Sequence, residues 1–278
     1  MSVMKINYLF IIVILLLSSC SNLKHLEPFD SYLGQPKKVE FESYRVVKEN
    51  DRQVEKLGYS IVTYYDQVGR KVRTEDYKPD GSPSSGGTVY SYDEKGNLTG
   101  ITMYRLDGNI MIQNRFNYNK HGQRTERLYT TKADTIKTVF IFDRKNRIEE
   151  IKGWYQDGSF KEDAIQKYDR DWREQELISY DSLGHQTNRI VFEHDKNGNQ
   201  TSSKWYNSND KLYNVYEKNY NSKNDPVRSK KYHLKDGDTI KIRIEKSEYD
   251  YDTYGNIKEH RLYTEGDLTL VKRYNFTY

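Results

Sequence analysis

YSYDEKGNLTGITMYRLDG, running from Tyr90 to Gly108, decides how the rest of the chain is read. Tyr90 and Tyr92 stand two apart, a spacing that places both rings on one face of an extended strand. Asp93-Glu94-Lys95-Gly96-Asn97 then reads as a reversal. Asp and Asn bond to nearby backbone, and Gly accepts the positive φ that a tight turn demands. A second extended run ends at Met103-Tyr104, and Asp107-Gly108 supplies another turn. The stretch is therefore a β-hairpin with its continuation.

The same unit recurs along the chain. Asp66, Asp93, Asn119, Asp143, Asp169, Asp195, Asn221 and Asp252 occupy the turn position, at separations of 27, 26, 24, 26, 26, 26 and 31 residues. So regular an interval marks a repeat architecture. One and three residues before each turn position lie two aromatic-rich columns, Tyr92 with Tyr90, Tyr118 with Phe116 and Phe142 with Phe140 among them. Ten to twelve residues after it comes a third, a candidate aromatic column of Tyr77, Tyr104, Tyr129, Tyr155, Tyr180, Tyr206, Tyr232 and Tyr263. A unit of this length holds two strands and two reversals, and strands joined so closely must be antiparallel neighbours. Twist forbids so long a meander from lying flat. The expected fold is all-β, an antiparallel meander of about eight two-stranded repeats forming a long twisted, coiled or rolled sheet.

Upstream of the repeats the composition changes. Lys5 is the only charge in the first nineteen residues, Tyr8 to Leu17 is apolar, and Leu17-Ser18-Ser19 precedes Cys20. This order resembles the lipobox of bacterial lipoproteins, which implies cleavage before Cys20 and a lipid on it. The apolar run is shorter than the ~20 residues of a transmembrane helix. The expected organisation is a signal peptide over 1–19, a lipidated Cys and tether over 20–36, and a single β-repeat domain over 37–278. Ser21 after the Cys resembles outer-membrane sorting, with the periplasmic face slightly favoured over the cell surface. Cys20 is the only cysteine, so no disulfide can brace the exported domain.

Stretches that could carry chemistry are few. The 45 Lys and Arg are interspersed with 41 Asp and Glu, and without a basic block nucleic acid is not an expected partner. His25, His121, His185, His194, His233 and His260 form no metal-ligand spacing, and His194 stands where other units place Tyr or Phe. Asp195-Lys196-Asn197-Gly198-Asn199 opens like a calcium loop, but Gln200 and Tyr206 fill the positions where an EF-hand needs Gly and an acid. Glu149-Glu150 and Glu174 with Glu176 are paired acids on strands, where surface charge is the ordinary explanation. Trp154, Trp172 and Trp205 offer faces for sugar stacking, set against the ~0.2–1 kcal/mol that cross-strand aromatic pairs give a sheet without any ligand. No cofactor is expected.

Tyr92-Asp93-Glu94-Lys95-Gly96-Asn97-Leu98-Thr99 resembles the YD repeat of Rhs-type proteins, and Tyr65-Asp66 with Gly69 and Tyr251-Asp252 with Gly255 resemble it nearly as well. The likeness covers about Ile61 to Tyr278 and implies hairpins spiralling into a strip or shell. The Pro- and Gly-rich segment that ends the large Rhs toxins has no counterpart here, and MORN-type repeats would require more glycine. The expected function is a membrane-anchored, non-enzymatic cell-envelope lipoprotein acting as a binding or scaffold module through its sheet. Its contacts would be the membrane, through the lipid on Cys20, and an envelope protein or a glycan. The alternatives are glycan or peptidoglycan binding by exposed aromatic rows, and a hydrolase with an unrecognised acid pair.

Overall fold

The computed structural model describes residues 32–278; residues 1–31, with Cys20 and the expected signal peptide, lie outside it. The strands in the first half are β1 (Lys38–Glu49), β2 (Arg52–Tyr65), β3 (Lys71–Tyr77), β4 (Thr88–Tyr92), β5 (Leu98–Tyr104), β6 (Ile110–Tyr118), β7 (Arg124–Thr131), β8 (Thr135–Asp143) and β9 (Ile148–Tyr155). The second half adds β10 (Phe160–Tyr168), β11 (Glu174–Tyr180), β12 (Gln186–His194), β13 (Gln200–Asn207), β14 (Leu212–Tyr220), β15 (Pro226–Lys235), β16 (Asp238–Tyr251), β17 (Ile257–Thr264) and β18 (Asp267–Thr277). No helix occurs among the described residues.

Each strand pairs antiparallel with the next, and β18 pairs with β1 from Thr277 against Lys38 to Leu270 against Arg45. The sheet is a closed 18-stranded barrel. The long twisted, coiled or rolled YD-like sheet expected from the repeats is therefore corrected: the meander does not run on as a strip but returns to its own first strand. The physical reason is the edge. An open sheet of this length leaves two rows of unpaired backbone N–H and C=O groups, and pairing β1 with β18 removes both. Followed through successive pairings, a residue of β1 comes back about 20 positions along the strand, a shear that tilts the strands by roughly 37° and gives a backbone diameter of roughly 35 Å. A ring of that width encloses an aqueous lumen.

Strand alternation assigns the two faces of the wall. Val39, Phe116, Thr138, Phe140, Glu149, Ile151, Ile190 and Phe192 share one face through the pairings, and all are buried. This is the concave inner wall, with a cluster of Leu177, Ile190 and Phe192 packed by Ala164 and Trp205. The outer wall carries ion pairs along its strands: Lys137 with Glu126 at 2.6 Å, Lys152 with Glu150 at 3.2 Å, Lys167 with Glu176 at 2.6 Å, and Lys204 with Glu193 at 2.5 Å. Arg189, Arg261 and Arg273 continue the series.

Among the described residues eight turns follow the even-numbered strands and form one rim, and both β1 and β18 meet that rim at the chain ends. Tyr32–Pro36, the last part of the expected tether, lies against it. The Leu33 N–H donates to Asn256 Oδ1 at 2.7 Å, and Tyr32 packs edge-on to Phe276 at 5.0 Å. At the opposite rim the β15–β16 hairpin stands taller than β17–β18, because β16 pairs with β17 only from Glu245 onward.

Candidate functional site

The recurring turn residues act as backbone caps. Asp66 Oδ1 accepts the N–H groups of Val68 at 3.0 Å and Arg70 at 2.9 Å, and Asp93 Oδ1 those of Lys95 at 3.0 Å and Asn97 at 2.7 Å. Asn119, Asp169, Asp195, Asn221 and Asp252 repeat this geometry; Asp143 accepts from Lys145 and Asn146. In the Asp195 loop both carboxylate oxygens are taken by Asn197 and Asn199, so capping fills the place where a cation would sit. Among the described residues no group of three or more His, Asp or Glu could hold a metal ion.

The aromatic columns divide by face. The pre-turn rings point into the lumen, and several reach back one repeat: Tyr92 donates to the Lys71 carbonyl, Tyr118 to Leu98 and Tyr220 to Gln200, each at 2.7 Å. The third column does not form one row. Tyr77, Tyr104, Tyr180, Tyr206, Tyr232 and Tyr263 face outward, but Tyr129 and Tyr155 face inward. The cause is parity. The outward six lie eleven residues after their turn position, Tyr129 ten and Tyr155 twelve, and an even step reverses the face. Several outward rings are engaged with charged neighbours, Tyr206 beneath Arg189 at 4.1 Å and Tyr263 donating to Glu248 at 3.0 Å.

The acids paired in the sequence are separated in the fold. Glu149 faces the lumen and Glu150 the outside. A bulge in β11 sets Glu174 opposite inward-facing Tyr168, while Glu176 pairs outside with Lys167. The structure instead brings together Glu149, Glu174 and Tyr168, whose hydroxyl donates to Glu149 at 2.9 Å. Burial, then the charge of Glu149, pushes the Glu174 carboxyl up to about 7. Glu149 is 1% exposed, and Glu174 is half-buried.

A second inward cluster is open. β13, β14, β15 and β16 align two cross-strand rows, Ser203–Tyr216–Lys231–Arg243 and Trp205–Asn214–His233–Lys241. They line a cavity of about 540 Å³ near the rim opposite the chain ends. Arg243 is paired with Glu245 at 2.8 Å, and Ser229 donates to the same carboxylate at 3.0 Å. The buried Oδ1 of Asn214 has no hydrogen-bond partner. Lys218 stands nearby on the inner face of β14, its amine pKa lowered by burial. The sequence holds a signal for this grid in Lys241-Ile242-Arg243-Ile244-Glu245, where alternation places the three charged residues on one face.

These observations define the class: a hollow, single-layer, 18-stranded antiparallel barrel with a polar, cationic sector on its inner wall. No family model matches the chain, and no curated protein does. Among solved structures, a porin-like protein from Bacteroides uniformis is similar at 10% identity and a TM-score of 0.43, covering 90% of this chain and 100% of that one. A porin-like protein from Bacteroides vulgatus is similar at 12% identity and a TM-score of 0.38, over 87% and 98% of the two chains. The TcdB2-TccC3 structure is similar at 11% identity and a TM-score of 0.41, over 84% of this chain and 14% of that one. Correspondence at this level is loose, and the class rests on the strand pairings of the chain itself.

Proposed function

We propose that the protein is a lipid-anchored, water-filled β-barrel of the bacterial cell envelope that acts by binding a ligand or partner rather than by catalysis. The observation that carries this reading is the charge on the outer wall. Lys152, Arg189 and Lys204 project outward from the middle of their strands, Lys137 and Lys167 from nearer the strand ends, and all five pair with acids. A lipid-facing barrel wall is apolar over ~25 Å, and each Lys or Arg at the bilayer centre costs it about 2–4 kcal/mol. A wall built like this one stands in water on both faces. Attachment then falls to the lipid expected on Cys20, and the Ser21 that follows it favours the outer membrane. The described chain begins at the capped-turn rim, and the open inner cluster lies at the opposite mouth of the lumen.

Cys20→Ser is expected to move the protein from the membrane fraction to a soluble, detergent-free, monomeric form. A variant that stays in membranes and needs detergent to leave them would contradict the reading, because the barrel itself would then be the membrane element.

A further inference from the structure

The inner wall is not uniform in charge. Arg127 and Glu162 face each other at 3.5 Å across the space that Gly153 leaves, and Arg124 beside them lies over the Phe116 ring at 4.5 Å. Between β14 and β16 cations outnumber acids. Lys218, Lys231, Lys235, Lys241 and Arg243 point inward against Glu245 and, at the hairpin tip, Asp238. Three polar groups there are also left without partners among the described residues: the Lys241 amine, the His233 ring and Asn214 Oδ1. A concave surface with excess charge of one sign concentrates ligands of the other.

Charge alone would suit any anion, but the grid also carries rings. Tyr216 lies between Ser203 and Lys231 in one row, and Trp205 ends the other beside Asn214, its indole N–H donating to Ser203 Oγ at 3.2 Å. Cations, an amide, hydroxyls and an aromatic face within one cavity of about 540 Å³ match a ligand that is polar all round, acidic, and flat on one side. We propose that the β13–β16 sector of the lumen binds an anionic saccharide, its acid groups against Lys231, Lys241 and Arg243 and a sugar face on Tyr216. This rests on the reading of the lumen as a water-filled binding surface. It assigns the ligand class and the residues that hold it.

Calorimetry on the full chain carrying Cys20→Ser tests the assignment, with trigalacturonate as the acidic sugar, maltotriose as the neutral one and citrate as an anion without a ring. Trigalacturonate is expected to bind at least tenfold more tightly than either control. Lys241→Gln should weaken it about tenfold, the loss of one charge-assisted contact. Tyr216→Ala should weaken it too, while Lys230→Gln, one residue from Lys231 but on the outer wall, should leave it unchanged. Equal binding of maltotriose would remove the cations from the site, equal binding of citrate would remove the rings, and no binding of trigalacturonate would overturn the proposal. A soluble, folded Cys20→Ser barrel that binds none of the three leaves the envelope-barrel reading standing and fails only the ligand assignment.

Discussion

Trp172 sits at φ 62° in the turn between β10 and β11, where Gly69, Gly96, Gly198 and Gly255 take the left-handed conformation in other units. A bulky side chain there costs on the order of 1–3 kcal/mol, and the indole recovers part of it against Phe142 at 5.5 Å and Tyr168 at 6.3 Å. The same corner holds Glu174, whose carboxyl pKa of about 7 exceeds its ordinary 4.5. The native state keeps a proton there that the unfolded chain releases, so this residue's contribution to stability is complete below about pH 4.5 and is lost as the pH rises through about 7. Glu174→Gln is therefore expected to raise stability at pH 8 by on the order of 2 kcal/mol and to change it little at pH 4. Urea titration at the two pH values checks this, and an equal shift at both would refute it.

At the scale of the hairpin, one device is used again and again. Burial raises the Asp93 pKa, but hydrogen bonds from Asn97 and Lys95 lower it by more, so the net shift is downward. A depressed carboxyl stabilises the fold above its unfolded pKa and loses that contribution as the pH falls through the folded one. Asp93→Ala should cost about 1–3 kcal/mol at pH 7, with a smaller difference from the parent below pH 3, read as denaturant midpoints. A gap independent of pH would show that the charged acceptor does not hold the turn. These turns are legible in the sequence because every bond in them lies within four residues. The acid cluster is not. Glu174 and Glu176 share parity and read as one face, and only the bulge at Gln175, a property of the pairing with β10, sends them to opposite sides.

For the whole molecule the decisive contact joins residues more than two hundred positions apart, and no local pattern encodes it. The repeat interval shows how each hairpin leads to the next, yet a coiled strip and a ring share that step. What separates them is the accumulated shear and the match between β1 and β18, where Phe41 meets Tyr274 and Val39 meets Phe276. The cationic grid is half legible: alternation groups Lys241 with Arg243, but their approach to Lys231 and Tyr216 depends on the register of four strands. The seam can be tested directly, since Cys20→Ser leaves a chain without cysteine. Glu40 and Asn275 are direct partners across β1 and β18. Glu40→Cys with Asn275→Cys, oxidised in dilute solution, is expected to give a cross-link within one chain and a faster-migrating monomer on a non-reducing gel. A closed ring requires that product; free thiols, or links between chains only, would mean that the sheet is open.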